Sequence, residues 1–268
     1  MMNIKNISKK LIVSLFIVTA FIPFGLKINE AFQNNHTTFA SQTLNIKNVE
    51  FVCANNNVYI EKNLFSQNSN IYNNKAICQV FDVAKNLVKD KTGSDYNTKL
   101  PIYIVDNKST VFLKQRDAAT TSSKGNNQSI YIKNKNFFEK GSTTLAHEMI
   151  HASLCDKLKK NYNNIPLWLN EGIATQVDSK NHYDSENKGF STEDLNKLLL
   201  SDKYPENNDE NRKFYLIHQH LVKLWIDDQV IGVIKKFIDL VNSGKKPVDA
   251  FYSLGGDKAI NKLKTMAR

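Results

Sequence analysis

The stretch STTLAHEMIHASL, Ser142 to Leu154, sets two histidines four residues apart with a glutamate directly after the first. On an α-helix, residues at that separation differ by about 40° in direction and about 6 Å in height. His147 and His151 therefore leave one face of one helix, and their rings can close on a single ion. Two histidines alone leave a metal under-ligated, so the rest of the fold has to deliver a third ligand to this face. Glu148 sits about 100° round from His147. It is badly placed to join the same ligand set but well placed to hydrogen-bond a water held on the metal, which is where a general base belongs.

The third ligand has a clear candidate. NNIPLWLNEGIATQVD, Asn163 to Asp178, reads as a second helix that can return antiparallel to the first and bring Glu171 level with the imidazoles. Trp168, Leu169, Ile173 and Ala174 give that helix an apolar side to pack with. Three protein ligands with an open fourth position are the pattern of a catalytic zinc site, whereas a structural site is closed by four. The expected ion is one zinc per chain.

HEMIH followed by PLWLNEGIA resembles the gluzincin metallopeptidases of the peptidase MA-like superfamily, and the nineteen residues between His151 and Glu171 suit that family. The resemblance extends over about Leu100 to the C-terminus and implies His147, His151 and Glu171 as ligands and Glu148 as base. It also implies an oxyanion-binding tyrosine at the start of a later helix, where Tyr215 stands, with Tyr204 and Tyr183 as rivals. His218 and His220 follow on that helix and read as packing or surface residues. Two departures carry information. Where aminopeptidase members have a substrate-anchoring glutamate this chain reads NNQSIYIKN, which favours cleavage of internal bonds. Where relatives have an acidic residue one turn after the ligand glutamate this chain has Thr175, so a histidine must be oriented from elsewhere.

Strands come first and helices after, which predicts an α+β fold with a mostly helical second half. Early strands fall within residues 41–70, and Ile71 to Gly93 spaces its apolar residues as an amphipathic helix with Gly93 at its end. Leu100 to Asn107 and Ser129 to Lys135 alternate as strands, with a polar loop around Gly125 between them. The second of these strands is expected to be the edge along which an extended peptide pairs. Ser142 is the expected N-cap of the histidine helix, Pro166 the opening of the next, and Ser191 with Asp194 a capping box. Helices over Tyr215 to Asp227, Val230 to Ser243 and two short segments about Gly255-Gly256 complete the chain.

Lys5, Lys9 and Lys10 precede the apolar run LIVSLFIVTAFIPFGL, Leu11 to Leu26, as in a secretory leader. Residues 1–40 are accordingly expected to be a signal peptide or N-terminal anchor, cut after Ala31 or Ala40 if cut, and 41–268 the metallopeptidase domain. That places the protein outside the cell or on the outer face of its envelope. The formal charge of +10 falls to +7 without the leader, and only three of 36 basic residues are arginine. No basic stripe with interleaved aromatics is present, so a nucleic-acid partner is not expected. A membrane enters only through an uncleaved N-terminal segment, and the expected partner is a peptide or protein substrate. Cys53 and Cys78 can bridge in an exported chain, and Cys155 reads as a small core residue. The acidic loop Asp178 to Gly189 lacks the spacing of a calcium site. These readings converge on an exported zinc peptidase. The alternative is a non-catalytic, metal-containing surface or adhesion module on the same fold, for which retention of Glu148 has no use.

Overall fold

The computed structural model describes residues 48–53, 56–67, 71–93, 95–109, 111–112, 119–124, 127–177, 190–199, 201, 203–229 and 232–267. The expected leader at residues 1–40 with its expected cleavage positions Ala31 and Ala40, Tyr183 and the loop 178–189 lie outside these. The described residues belong to one compact unit spanning Ile46–Arg268.

Five strands form one sheet: β1 (Asn48–Cys53), β2 (Asn56–Glu61), β3 (Ile102–Val105), β4 (Ala119–Lys124) and β5 (Asn127–Lys133), in the order β1-β2-β3-β5-β4. β1 with β2 and β4 with β5 pair antiparallel, while β2, β3 and β5 run parallel. Period-two alternation explains the two faces. Val58, Ile102 and Ile130 align across the three inner strands, as do Ile60, Ile104 and Ile132, and all six are buried. Between those rows Tyr59, Tyr103 and Tyr131 stack on the opposite face with centroids 5.1 and 5.0 Å apart.

The helices are α1 (Lys62–Gln67), α2 (Asn74–Thr92), α3 (Asn134–Leu158), α4 (Leu167–Ala174), α5 (Thr192–Leu199), α6 (Asn208–Asp227), α7 (Val233–Asn242), α8 (Pro247–Ser253) and α9 (Gly256–Met266). The fold is α+β with a mostly helical second half, as expected. α2 begins where the Asn73 side chain accepts the Ala76 N–H and ends at Gly93, whose φ of 67° suits a residue without Cβ. Its buried stripe of Ile77, Phe81, Ala84 and Val88 packs against α3 and β1, and a Cys53–Cys78 disulfide ties it to β1. The capping box at α5 is present in full: Asp194 N–H bonds Ser191 Oγ at 3.0 Å and Ser191 N–H bonds Asp194 Oδ2 at 2.9 Å.

Three expectations need correction. The polar stretch before β5 includes a strand, β4, so β5 lies inside the sheet and β4 is its edge. Ser142 is not the cap of the histidine helix: helical residues run from Asn134, break at a kink at Lys140 (φ −145°, ψ 28°) and resume at Gly141, so the histidine-bearing part starts just ahead of Ser142. The later helix starts at Asn208, not Tyr215, with the Asn207 side chain accepting the Asp209 N–H. Among the described residues no helix is long and apolar enough to cross a membrane.

Candidate metal centre

α3 carries His147 and His151 on one face, and α4 brings Glu171 to them. His147 Nε2 and His151 Nε2 lie 3.2 Å apart, and each is 3.5 Å from one oxygen of the Glu171 carboxylate. The three ligand atoms all fall within 4.8 Å of one another, so this group can hold a metal ion. The spacing has a physical meaning. A tetrahedron with bonds of about 2.0–2.1 Å has edges of about 3.3 Å, so the separation of the two imidazole nitrogens matches ligands around one ion, while the two Glu171 oxygens each face a different histidine. Glu171 is 4% and His151 8% exposed, which keeps competing water away from the ligand atoms.

The supports of these ligands are polar and specific. Asn170 Oδ1 lies 3.1 Å from His151 Nδ1, and Asn170 Nδ2 donates to the Tyr162 hydroxyl at 3.1 Å. An amide whose nitrogen is committed to Tyr162 presents its oxygen to the ring, so Nδ1 is the protonated nitrogen and Nε2 keeps its lone pair for a metal. The orienting group absent one turn after Glu171 is thus one residue before it. Tyr204 donates its hydroxyl to Glu171 Oε1 at 2.5 Å. Burial raises the Glu171 carboxyl, but His151, His147 and the Tyr204 hydroxyl outweigh it and hold the group down at about 2. The carboxylate is therefore anionic and ready to ligate at neutral pH. The Tyr204 ring is 38% exposed, yet burial of the hydroxyl and the Glu171 charge push its pKa well above the ordinary value, so it serves as a donor.

Glu148 stays out of the ligand group. Thr121, on the edge strand β4, donates to Glu148 Oε2 at 2.7 Å and approaches the Glu148 carbonyl oxygen at 3.1 Å. One hydroxyl thereby fixes the carboxylate next to the sheet edge. Tyr215 is half-buried and stacks on Tyr204 with centroids 6.3 Å apart. The tyrosine whose hydroxyl reaches the ligand set is Tyr204. Cys155 is half-buried, its thiol pushed up by burial and then by Asp156, and it is not among the ligand atoms.

No family model, curated protein or solved structure matches this chain.

The reading therefore stands on the geometry. Spacing pointed to His147 and His151, and the apolar second helix with its resemblance pointed to Glu171; the fold brings the three together. Asn170, Tyr162 and Thr121 were missed. Asn170 carries the one available signal, an amide directly before the ligand glutamate; Thr121 lies in a polar stretch without alternation.

α4 owes its position to Gly172. A Cβ there would meet Val222 Cγ2 at 2.4 Å and the His218 carbonyl oxygen at 2.9 Å, so only glycine lets α4 lie this close to α6. Gln176 Nε2 donates to the Gly172 and Gln219 carbonyls at 2.8 and 3.1 Å, and Gln219 Nε2 returns a bond to the Thr175 carbonyl at 3.3 Å. Gly172→Ala is expected to cost about 1–3 kcal/mol by overpacking. It also moves Glu171 away from the histidines, so metal affinity falls with thermal stability. Adding Val222→Ala relieves the side-chain clash but not the carbonyl contact, so melting and metal titration should recover only in part.

Proposed function

We propose that this chain is an exported zinc-dependent endopeptidase of the gluzincin type. The observation that carries the reading is the division of labour on α3: His147 and His151 converge with Glu171 into a group able to hold one ion, while Glu148 is held outside it by Thr121. Two imidazoles and one carboxylate at bond lengths near 2 Å favour zinc, because calcium takes six to eight oxygens at longer range. Once bound, zinc would act as a Lewis acid toward a peptide carbonyl and toward water.

The chain's own residues do the rest. The Glu148 carboxylate accepts the proton of the attacking water, and the Thr121 bond aims it. The single proton of the Tyr204 hydroxyl is committed to Glu171 Oε1, so Tyr204 positions that carboxylate, and Tyr215, stacked beside it, is the donor for the developing oxyanion. β4 offers its outer edge to the backbone of an extended peptide, so β-strand addition would lay the substrate beside Glu148. The Cys53–Cys78 bridge supports an exported location, since such bonds persist in oxidising compartments.

A mixed peptide library, incubated with the purified chain with and without a zinc chelator, tests the reading. Chelator-sensitive fragments from internal cleavage are expected. A chain that holds zinc, binds a protein partner and cuts nothing is instead the adhesion module.

A further inference from the structure

One buried group behind Glu171 has no use in this scheme. His218 on α6 is fully buried, and neither Nδ1 nor Nε2 has a hydrogen-bond partner. Its ring stands edge-on to Phe214 with centroids 3.8 Å apart. Phe214 in turn packs on Tyr204, whose hydroxyl bonds Glu171. The His218 carbonyl oxygen is the point against which the bare Cα of Gly172, next to Glu171, is seated. Burial drives the imidazole down to about 3, opposed by the Glu171 charge, so the ring is neutral and carries one N–H and one lone pair.

Buried polar atoms are nearly always bonded, and an orphaned one carries an uncompensated desolvation penalty. A leucine of similar volume would fill this place without that cost. Phe214, Leu221, Val222 and Trp225 on the same helix are all buried, so packing alone gives no reason for an imidazole here. The Glu171 carboxylate, on the adjoining helix, is the charge that acts on this ring.

We propose that His218 is a positioning residue of the metal centre, its ring N–H bonding the Glu171 carboxylate, directly or across one buried water, when Glu171 ligates the ion. Tyr204 and His218 then hold the carboxylate from two sides while the ion draws charge from it. The inference rests on the metal centre and not on peptidase activity.

The test uses the full chain stripped of metal, with Zn²⁺ titrated against a competing chelator and Co²⁺ as a visible-absorption probe. His218→Leu is expected to weaken Zn²⁺ binding about 10–100-fold, the usual cost of losing an outer partner. It should also shift the Co²⁺ spectrum, while the melting temperature of the metal-free protein holds or rises because an orphaned group has gone. His218→Gln keeps an N–H and should recover most of the affinity. A packing histidine predicts the reverse split: a lower metal-free melting temperature with parental affinity. Parental affinity in His218→Leu, a fall in its metal-free stability, failure of that variant to fold, or equal weakening by both variants overturns the proposal. A parent chain that takes up no Zn²⁺ overturns the metal centre with it, which separates the two failures.

Discussion

Exchange of Glu171 for glutamine is expected to take the metal out of the purified protein, from about one ion per chain to nearly none. The amide matches the carboxylate in size but carries no charge, and the two histidines cannot hold the ion without it. His151→Ala should do the same. An ion that binds only the folded chain stabilises it by about 4 kcal/mol at a thousand times its Kd, so both variants should melt well below the parent. A chelator should lower the parent's melting temperature and leave theirs unmoved. Metal analysis decides the matter, and full retention by both variants rules out the centre at His147, His151 and Glu171.

Glu148→Gln is expected to give the opposite pattern. Glu148 bonds Thr121 and stands outside the ligand group, so metal content and melting should stay parental. Removal of a general base costs about 10²–10⁴ in rate. On the same library-derived peptide, Tyr215→Phe should lose about 10²–10³ in kcat with KM nearly unchanged, since an oxyanion bond forms only in the transition state. Tyr204→Phe should instead weaken metal binding, because its hydroxyl holds Glu171 Oε1; a larger kcat loss from Tyr204 than from Tyr215 at full metal loading reverses the assignment of the donor. Glu148→Gln cleaving as fast as the parent shows that the proton goes elsewhere.

The two histidines were legible because helical geometry turns a four-residue spacing into a shared face without help from the rest of the fold, whereas Glu171 needed a second helix to return and the resemblance of PLWLNEGIA. The α2 stripe with its Gly93 end and the Ser191–Asp194 box were legible for the same reason, being local. What escaped was set by tertiary pairing. β4 reads ATTSSK, with none of the apolar alternation that marks a strand, because an edge strand need bury little of itself. Its place in the sheet follows from pairing with β5, and that pairing also moved the free edge from β5 to β4. The roles of Asn170 and Tyr204 depend on which side chains meet across helices and the segment before α6, which no spacing rule reports.

Asn170 and Glu171 are neighbours on a helix of eight residues, and that adjacency bears on how an ion would be lost. A local opening of α4 withdraws the third ligand and the tautomer clamp on His151 together, leaving two loosely oriented imidazoles. The lifetime of the bound ion then follows the frequency with which this short helix lifts from α6, governed by the fit at Gly172 and the paired glutamines Gln176 and Gln219. Retention of the ion becomes a question of local folding kinetics as much as of coordination chemistry.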